Sequence, residues 1–375
     1  MTIVPPGSTV LVTGANGYIA AWIVRTLLEE GYRVRGTVRT RDKGRALQKI
    51  FEKFETKFEF VVVPDITKDG AFDEAVQDVD AIAHAASPVN FSTEDPQDLI
   101  RPAVRGTESI LQSASQARSK VRRIVYTSSV AAILEVDPKP RTFTEENWNN
   151  QSVAQVERDG KDSLPITKYR ASKTLAERAA WKFVEDNKAV IEWDLVVMNP
   201  PYVFGPITHD VPTPSALGLS AGQFYNIAVN HSDEGGKTPE ELRSTGSSWI
   251  DVRDLAGAQV LALQKDSVAN ERVIVSAGPF VWQEWRRSLL ALRHVKQNLI
   301  RDDFLVDVAN SLAPTYLPSH PNLPKGVPIT NSDPEIVYPI RQYDASKADR
   351  LLGIKYRSKE DLIKDTFADY EARGW

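Results

Sequence analysis

Tyr169 and Lys173 stand four residues apart in the stretch YRASK, and the same spacing returns at Tyr343 and Lys347 in YDASK. On a helix, residues four apart share a face one turn from each other. A phenol titrating at about 10 is a poor acid–base group at neutral pH, and a neighbouring ammonium is expected to lower it by favouring phenolate. The chemistry this pair offers is proton transfer to or from the oxygen of a bound substrate. It needs a true helix, and a second polar group to hold the reacting oxygen.

The first copy has both. KYRASKTLAERAAWKFVEDN reads as a helix, with Leu175, Ala179 and Phe183 stepping by four and good helix formers between them. It follows the strand pattern RRIVYTSS, whose Ser128–Ser129 end would lie at the carboxyl edge of a sheet, where ligands bind. A serine hydroxyl there can polarise a carbonyl. The second copy reads as structural. Asp344 can cap a short helix that carries Leu351 and Leu352 and stops at Gly353, which leaves Tyr343 ahead of it and off the face of Lys347. No strand ending in serine precedes it.

The elements that must position these groups alternate along the first two hundred residues. TVLVTG, YRVRGTVR, FEFVVV, AIAHAA, RRIVYTSS and WDLVVMNP are short apolar runs separated by helical patterns. Such alternation predicts βαβ units and an α/β fold, a Rossmann-type, doubly wound parallel sheet covered by helices on both faces. Past Pro200 the rhythm breaks into Pro-, Gly- and Ser-rich sequence, and prolines recur from Ala313 to Pro339. The expected division is a nucleotide-binding domain over 1–200 with a returning segment near 249–278. A smaller C-terminal substrate-binding lobe would take mainly 201–248 and 279–375.

VTGANGYIA sets Gly14 and Gly17 between the first strand and first helix. Such a turn lets the backbone approach a pyrophosphate seated on the helix N-terminus. Ala20 takes the place of the third glycine of the dinucleotide fingerprint. At the end of the second strand an Asp or Glu would bind the ribose of NAD; the chain has Arg39 there, and Lys43 a turn later. Two cations without a carboxylate suit a 2′-phosphate, hence NADP(H).

The Gly-rich turn, the serine after a strand and Tyr-x-x-x-Lys resemble the short-chain dehydrogenase/reductase superfamily, extended type, over nearly the whole chain. AHAASP, VRRIVYTSS, FTEENWN, NPPYVFGP and WIDVRDLAGA are similar to its dihydroflavonol-reductase-like branch, and within it to the fungal NADPH-dependent aldehyde and ketone reductases. The resemblance implies a triad of Ser129, Tyr169 and Lys173, with Ser129 chosen over Ser128 by its place before VAA. It also implies that Lys173 holds the nicotinamide ribose and that Asp65 and Ile66 flank the adenine. Tyr18, Ile19, Ala85, Ala86, Ser87 and Thr127 would line the cofactor further along, with Pro200 to Val203 at its nicotinamide end. Val89, Phe91, Val130, Leu134 and Tyr202 would form an apolar substrate wall, with Val89 and Val130 small enough to admit a bulky or aryl carbonyl. The implied activity is NADPH-dependent reduction of aldehydes, ketones and ketoesters.

Composition narrows the alternatives. With no cysteine, disulfides, thiolate catalysis and Cys-ligated metals are excluded. The five histidines are scattered, His84 reading as a buried core residue, and no metal motif emerges. A net charge of −4 without a basic block argues against nucleic acid or an anionic membrane as partner. No apolar run approaches bilayer length, and the opening MTIVPPGSTVLVTGANG resembles neither signal nor transit peptide, so the cytoplasm is the expected location. The partner expected is a small carbonyl compound; oligomeric state stays open. Competing readings are a nucleotide-sugar epimerase, a dihydroflavonol or cinnamoyl-CoA reductase, and a non-catalytic NADP(H) sensor.

Overall fold

The computed structural model describes residues 2–87, 93–116, 119–137, 139–230, 239–285, 308–320 and 341–375. Its strands are β1 (Thr9–Thr13), β2 (Arg33–Val38), β3 (Phe58–Val62), β4 (Ala81–His84), β5 (Arg123–Thr127), β6 (Arg141–Phe143), β7 (Asp194–Asn199), β8 (Tyr202–Phe204), β9 (Gly246–Asp251), β10 (Arg272–Ile274), β11 (Gly278–Val281) and β12 (Arg341–Tyr343). Its helices are α1 (Tyr18–Glu29), α2 (Arg41–Ile50), α3 (Gln97–Ala114), α4 (Asn150–Asp159), α5 (Pro165–Asn187), α6 (Leu219–Ala228), α7 (Pro239–Ser244), α8 (Val252–Gln264), α9 (Val308–Tyr316), α10 (Ser346–Leu352) and α11 (Lys359–Arg373).

Among the described residues seven strands form one parallel sheet in the order β10-β7-β5-β4-β1-β2-β3. The order reverses between β1 and β4, which opens a crevice at their carboxyl ends. The strands are apolar on both sides because both sides are covered. On one face Ile23 and Leu27 of α1 meet Leu255 and Leu263 of α8, and Leu352 of α10 joins them. On the other, Ile110 and Leu111 of α3 and Ala180 of α5 pack with Phe72 and Trp193. Pro165 stands at the first turn of α5, where its missing N–H needs no partner.

A second core is aromatic. Phe204, Phe224, Trp249, Phe280, Trp282 and Trp285 pack edge to face around the small sheet β11-β9-β8, and Phe367 and Tyr370 of α11 close it. Gly246 makes this sheet possible: a Cβ there would stand 1.9 Å from the Phe280 carbonyl oxygen. Thus β10 returns to the large sheet, while β9 builds the small one. A two-stranded pair, β12 alongside β6, carries the chain back beside α5.

Candidate active site

The turn after β1 is built by Gly14, whose φ of +64° lies in the left-handed region. A Cβ on it would stand 3.1 Å from Ala86 Cα, so the glycine is needed for close approach as well as for the turn. Gly17 then opens α1 with no side chain capping its first N–H groups. These donors face the crevice, and they carry the positive end of the helix dipole.

From this turn a cleft of about 540 Å3 runs along the carboxyl edge of the sheet. Gly14, Gly17, Tyr18 and Ile19 line one end; Ala85, Ser87 and Thr127 line the middle; Tyr169, Lys173, Pro200 and Val203 line the other end. Ala86 stands behind this lining, its N–H donating to Thr13 Oγ1 at 3.0 Å. Arg39 and Lys43 lie outside the cleft wall, exposed at the end of β2 and the start of α2. Lys43 Nζ is 3.4 Å from the Asp210 carboxylate. Asp65 accepts the Thr67 N–H at 2.9 Å and its hydroxyl at 2.6 Å, which hold the carboxyl below its ordinary value, with Lys68 and Arg39 contributing less. Ile66 packs towards Gly106 of α3. The glycine cradle, the uncapped helix start and the long cleft fit a dinucleotide. Arg39 and Lys43, at the end of β2 and in the first turn of α2, are cations that fit a 2′-phosphate, with Asp42 on the same turn and Asp210 beside Lys43.

Helix α5 sets Tyr169 and Lys173 on the cleft side. Lys173 Nζ lies 5.9 Å from the Tyr169 ring centroid and donates to Ser87 Oγ at 3.0 Å. Burial pulls Lys173 down to about 8, opposed by the carboxylate of Glu177. Burial pushes the Tyr169 phenol up to about 12; a hydrogen bond with Ser129 works against this and Tyr202 adds to it. Burial is thus the largest influence on Tyr169 and leaves its phenol above the ordinary value, with the Lys173 ammonium over the ring and bonded to Ser87.

The two serines after β5 are separated by what binds them. Ser128 is buried and donates to Glu177 Oε2 at 2.5 Å. Glu177, one turn beyond Lys173 and fully buried, also accepts Asn199 Nδ2 at 2.8 Å and pairs with Arg272 Nε. Ser129 opens the turn Val130–Ala132, its oxygen accepting the Ala131 N–H at 3.1 Å, and it reaches the cleft beside Tyr169. His84 is neutral, driven down to about 3 by burial, with Thr13 Oγ1 2.8 Å from Nδ1; Nε2 finds no partner among the described residues.

A second cavity of about 240 Å3 adjoins the cleft and shares Ser129 and Tyr169 with it. Val130, Leu134 and Tyr202, three of the residues expected in a substrate wall, line it, while Val89 and Phe91 lie outside the described residues. Arg170, Arg341, Ser247, Trp282 and Tyr343 also line it. Tyr343, expected as a structural residue, lies on β12 in this wall, where its phenol bonds Ser247. Lys347 does point elsewhere, to Glu271 at 3.0 Å and the Arg272 carbonyl. The helix that carries Lys347 starts one residue later than expected, with Ala345 at the N-cap position and Asp344 accepting the Ser346 N–H. Arg170 could have been noticed from its place beside Tyr169; nothing in the sequence joins Arg341 or Tyr343 to that site.

The family model described as the NAD dependent epimerase/dehydratase family matches residues 10–277. The NADPH-dependent methylglyoxal reductase GRE2 of Saccharomyces cerevisiae is 35% identical over 96% of each chain. The ketoreductase azaE of Aspergillus niger is also 35% identical, over 95% of each. The crystal structure of yeast methylglyoxal/isovaleraldehyde reductase Gre2 complexed with NADPH superimposes with a TM-score of 0.78 at 33% identity, covering 98% of this chain and 99% of that one. The doubly wound sheet, the glycine turn and the extent of these matches place the chain in one group: it belongs to the NAD dependent epimerase/dehydratase family.

Proposed function

We propose that this protein is an NADPH-dependent carbonyl reductase, converting aldehydes and ketones to alcohols at Tyr169. The observation that carries the reading is the junction of the two cavities at Ser129 and Tyr169. A carbonyl group in the smaller cavity meets the end of the cofactor cleft at these two hydroxyls. The names of the similar fungal chains, a methylglyoxal reductase and a ketoreductase, support the same chemistry.

Gly14, Gly17 and the start of α1 would hold the pyrophosphate, and Arg39 with Lys43 the 2′-phosphate. Ala85, Ser87 and Thr127 would flank the middle, Lys173 the nicotinamide ribose, and Pro200 with Val203 the nicotinamide. Bound NADPH supplies the hydride that reduces the carbonyl carbon. Tyr169 gives its proton to the carbonyl oxygen, and at about 12 it holds that proton at neutral pH, as an acid must. Ser129 donates to the same oxygen and steadies the negative charge growing there. The Lys173 ammonium then stabilises the phenolate left behind. Val130, Leu134 and Trp282 give the carbonyl substituent an apolar seat for an alkyl or single aryl group.

The test is NADPH consumption with methylglyoxal, isovaleraldehyde, a β-ketoester and an aryl ketone, with NADH in parallel. Tyr169→Phe should lose about a hundredfold or more of the turnover while NADPH still quenches protein fluorescence on binding. Undiminished turnover in Tyr169→Phe refutes the assignment of the acid. A preference for NADH refutes the roles of Arg39 and Lys43.

A further inference from the structure

The cavity beside Tyr169 contains two guanidinium groups. Arg170 follows Tyr169 on α5, and Arg341 opens β12. Neither forms an ion pair or a side-chain hydrogen bond with a described residue. Other inward-facing arginines of this chain do: Arg123 pairs with Asp194, Arg253 with Asp251 and Arg272 with Glu177. Desolvation first, then the Arg341 charge, pull Arg170 below its ordinary value, against Tyr343 and Tyr202. Those two phenols are themselves raised by burial, so they stay neutral and cannot balance the arginines. Two like charges held together in a partly dry wall are unfavourable until an anion joins them.

We propose that Arg170 and Arg341 form a carboxylate subsite, so that the substrate class is an aldehyde or ketone bearing a carboxylate a few carbons from its carbonyl. This rests on the reductase reading of Tyr169. A guanidinium presents parallel N–H donors that match a carboxylate, and two of them can clamp it from both sides. The apolar faces of Val130, Leu134 and Trp282 suit the short carbon chain between the two polar ends, and about 240 Å3 suits a compact molecule. The reaction balances simply. The carbonyl carbon gains the hydride, its oxygen gains the Tyr169 proton, NADP+ and a hydroxy acid leave, and the carboxylate is unchanged.

The experiment compares succinic semialdehyde and glutaric semialdehyde with their methyl esters, in which the aldehyde is the same and only the charge is lost. Wild-type protein should favour the acid over the ester in kcat/KM for at least one length. Arg170→Gln and Arg341→Gln should each lower that acid-to-ester ratio by about tenfold to a hundredfold, the worth of one charged hydrogen bond, mainly through KM. Arg341→Lys should recover part of it. A readout without turnover is calorimetric binding of γ-hydroxybutyrate to Tyr169→Phe protein, which should weaken when either arginine is also replaced. Equal use of acid and ester at both lengths, or a ratio untouched by both Gln variants, overturns the proposal. Should reduction survive undiminished in Tyr169→Phe, the reading of Tyr169 as the acid fails, while arginine-dependent binding of γ-hydroxybutyrate would still support the subsite.

Discussion

Replacing Glu177 tests whether helix α5 is anchored through one buried charge. Its carboxylate is fully buried and accepts from Ser128 Oγ, Asn199 Nδ2 and Arg272 Nε. Arg272 has further acceptors in the carbonyls of Glu145 and Asn147, both at 2.6 Å, and its guanidinium lies 3.7 Å from the Trp148 ring centroid. In Glu177→Gln the shape survives but the guanidinium keeps its charge without a counter-ion. Breaking a buried pair on one side costs about 3–5 kcal/mol. The two remaining carbonyls put Gln at the low end. Glu177→Leu, which also strips Ser128 and Asn199 of their acceptor, belongs at the high end. At roughly 2 °C per kcal/mol for a large domain, the expected fall in melting temperature is about 6–10 °C. Glu177 also supports the charge on Lys173, so Glu177→Gln should move any pH limb due to Lys173 downward. The assay is a melting curve beside a kcat/KM pH profile, with Lys182→Ala of the exposed Lys182–Asp186 pair as control. If Glu177→Gln melts within about 1 °C of wild type, as the control should, the pair is not desolvated and the reasoning is wrong.

Two more outcomes follow from the same site. Because Lys173 sits at about 8, it is charged below that pH and neutral above it, while Tyr169 at about 12 keeps its proton throughout; reduction should decline above about pH 8, and Lys173→Arg should shift the decline upward. A decline at the same pH in Lys173→Arg would assign it to another group. Gly14→Ala must place a Cβ in left-handed backbone 3.1 Å from Ala86, costing about 1–2 kcal/mol and weakening NADPH in a fluorescence titration; unchanged affinity would remove the turn from the binding site.

Much of this architecture is written in local pattern. The apolar runs from TVLVTG to WDLVVMNP lie on the six strands from β1 to β5 and β7, because strands covered on both faces have little freedom in composition. Tyr169 and Lys173 share a face of α5 because helical periodicity spans only a few residues. Local pattern misses what depends on the surroundings. It looks to Lys173 as the neighbour that sets the Tyr169 phenol, yet burial, which acts over the whole packed volume, is the largest influence on it.

By itself, then, the sequence determined the strand–turn–helix at Gly14 to Ile19, the sheet it belongs to and the tyrosine–lysine face, all of them consequences of spacing along one element. Tertiary structure alone decided that the Ser128 hydroxyl turns inward to Glu177 while that of Ser129 meets Tyr169, and that Tyr343 and Arg341 arrive beside Arg170. The second set depends on β12 pairing with β6 and on β10 joining the sheet, contacts between segments remote in sequence. Such contacts are selected by the packing of whole faces, and no short run of residues encodes them.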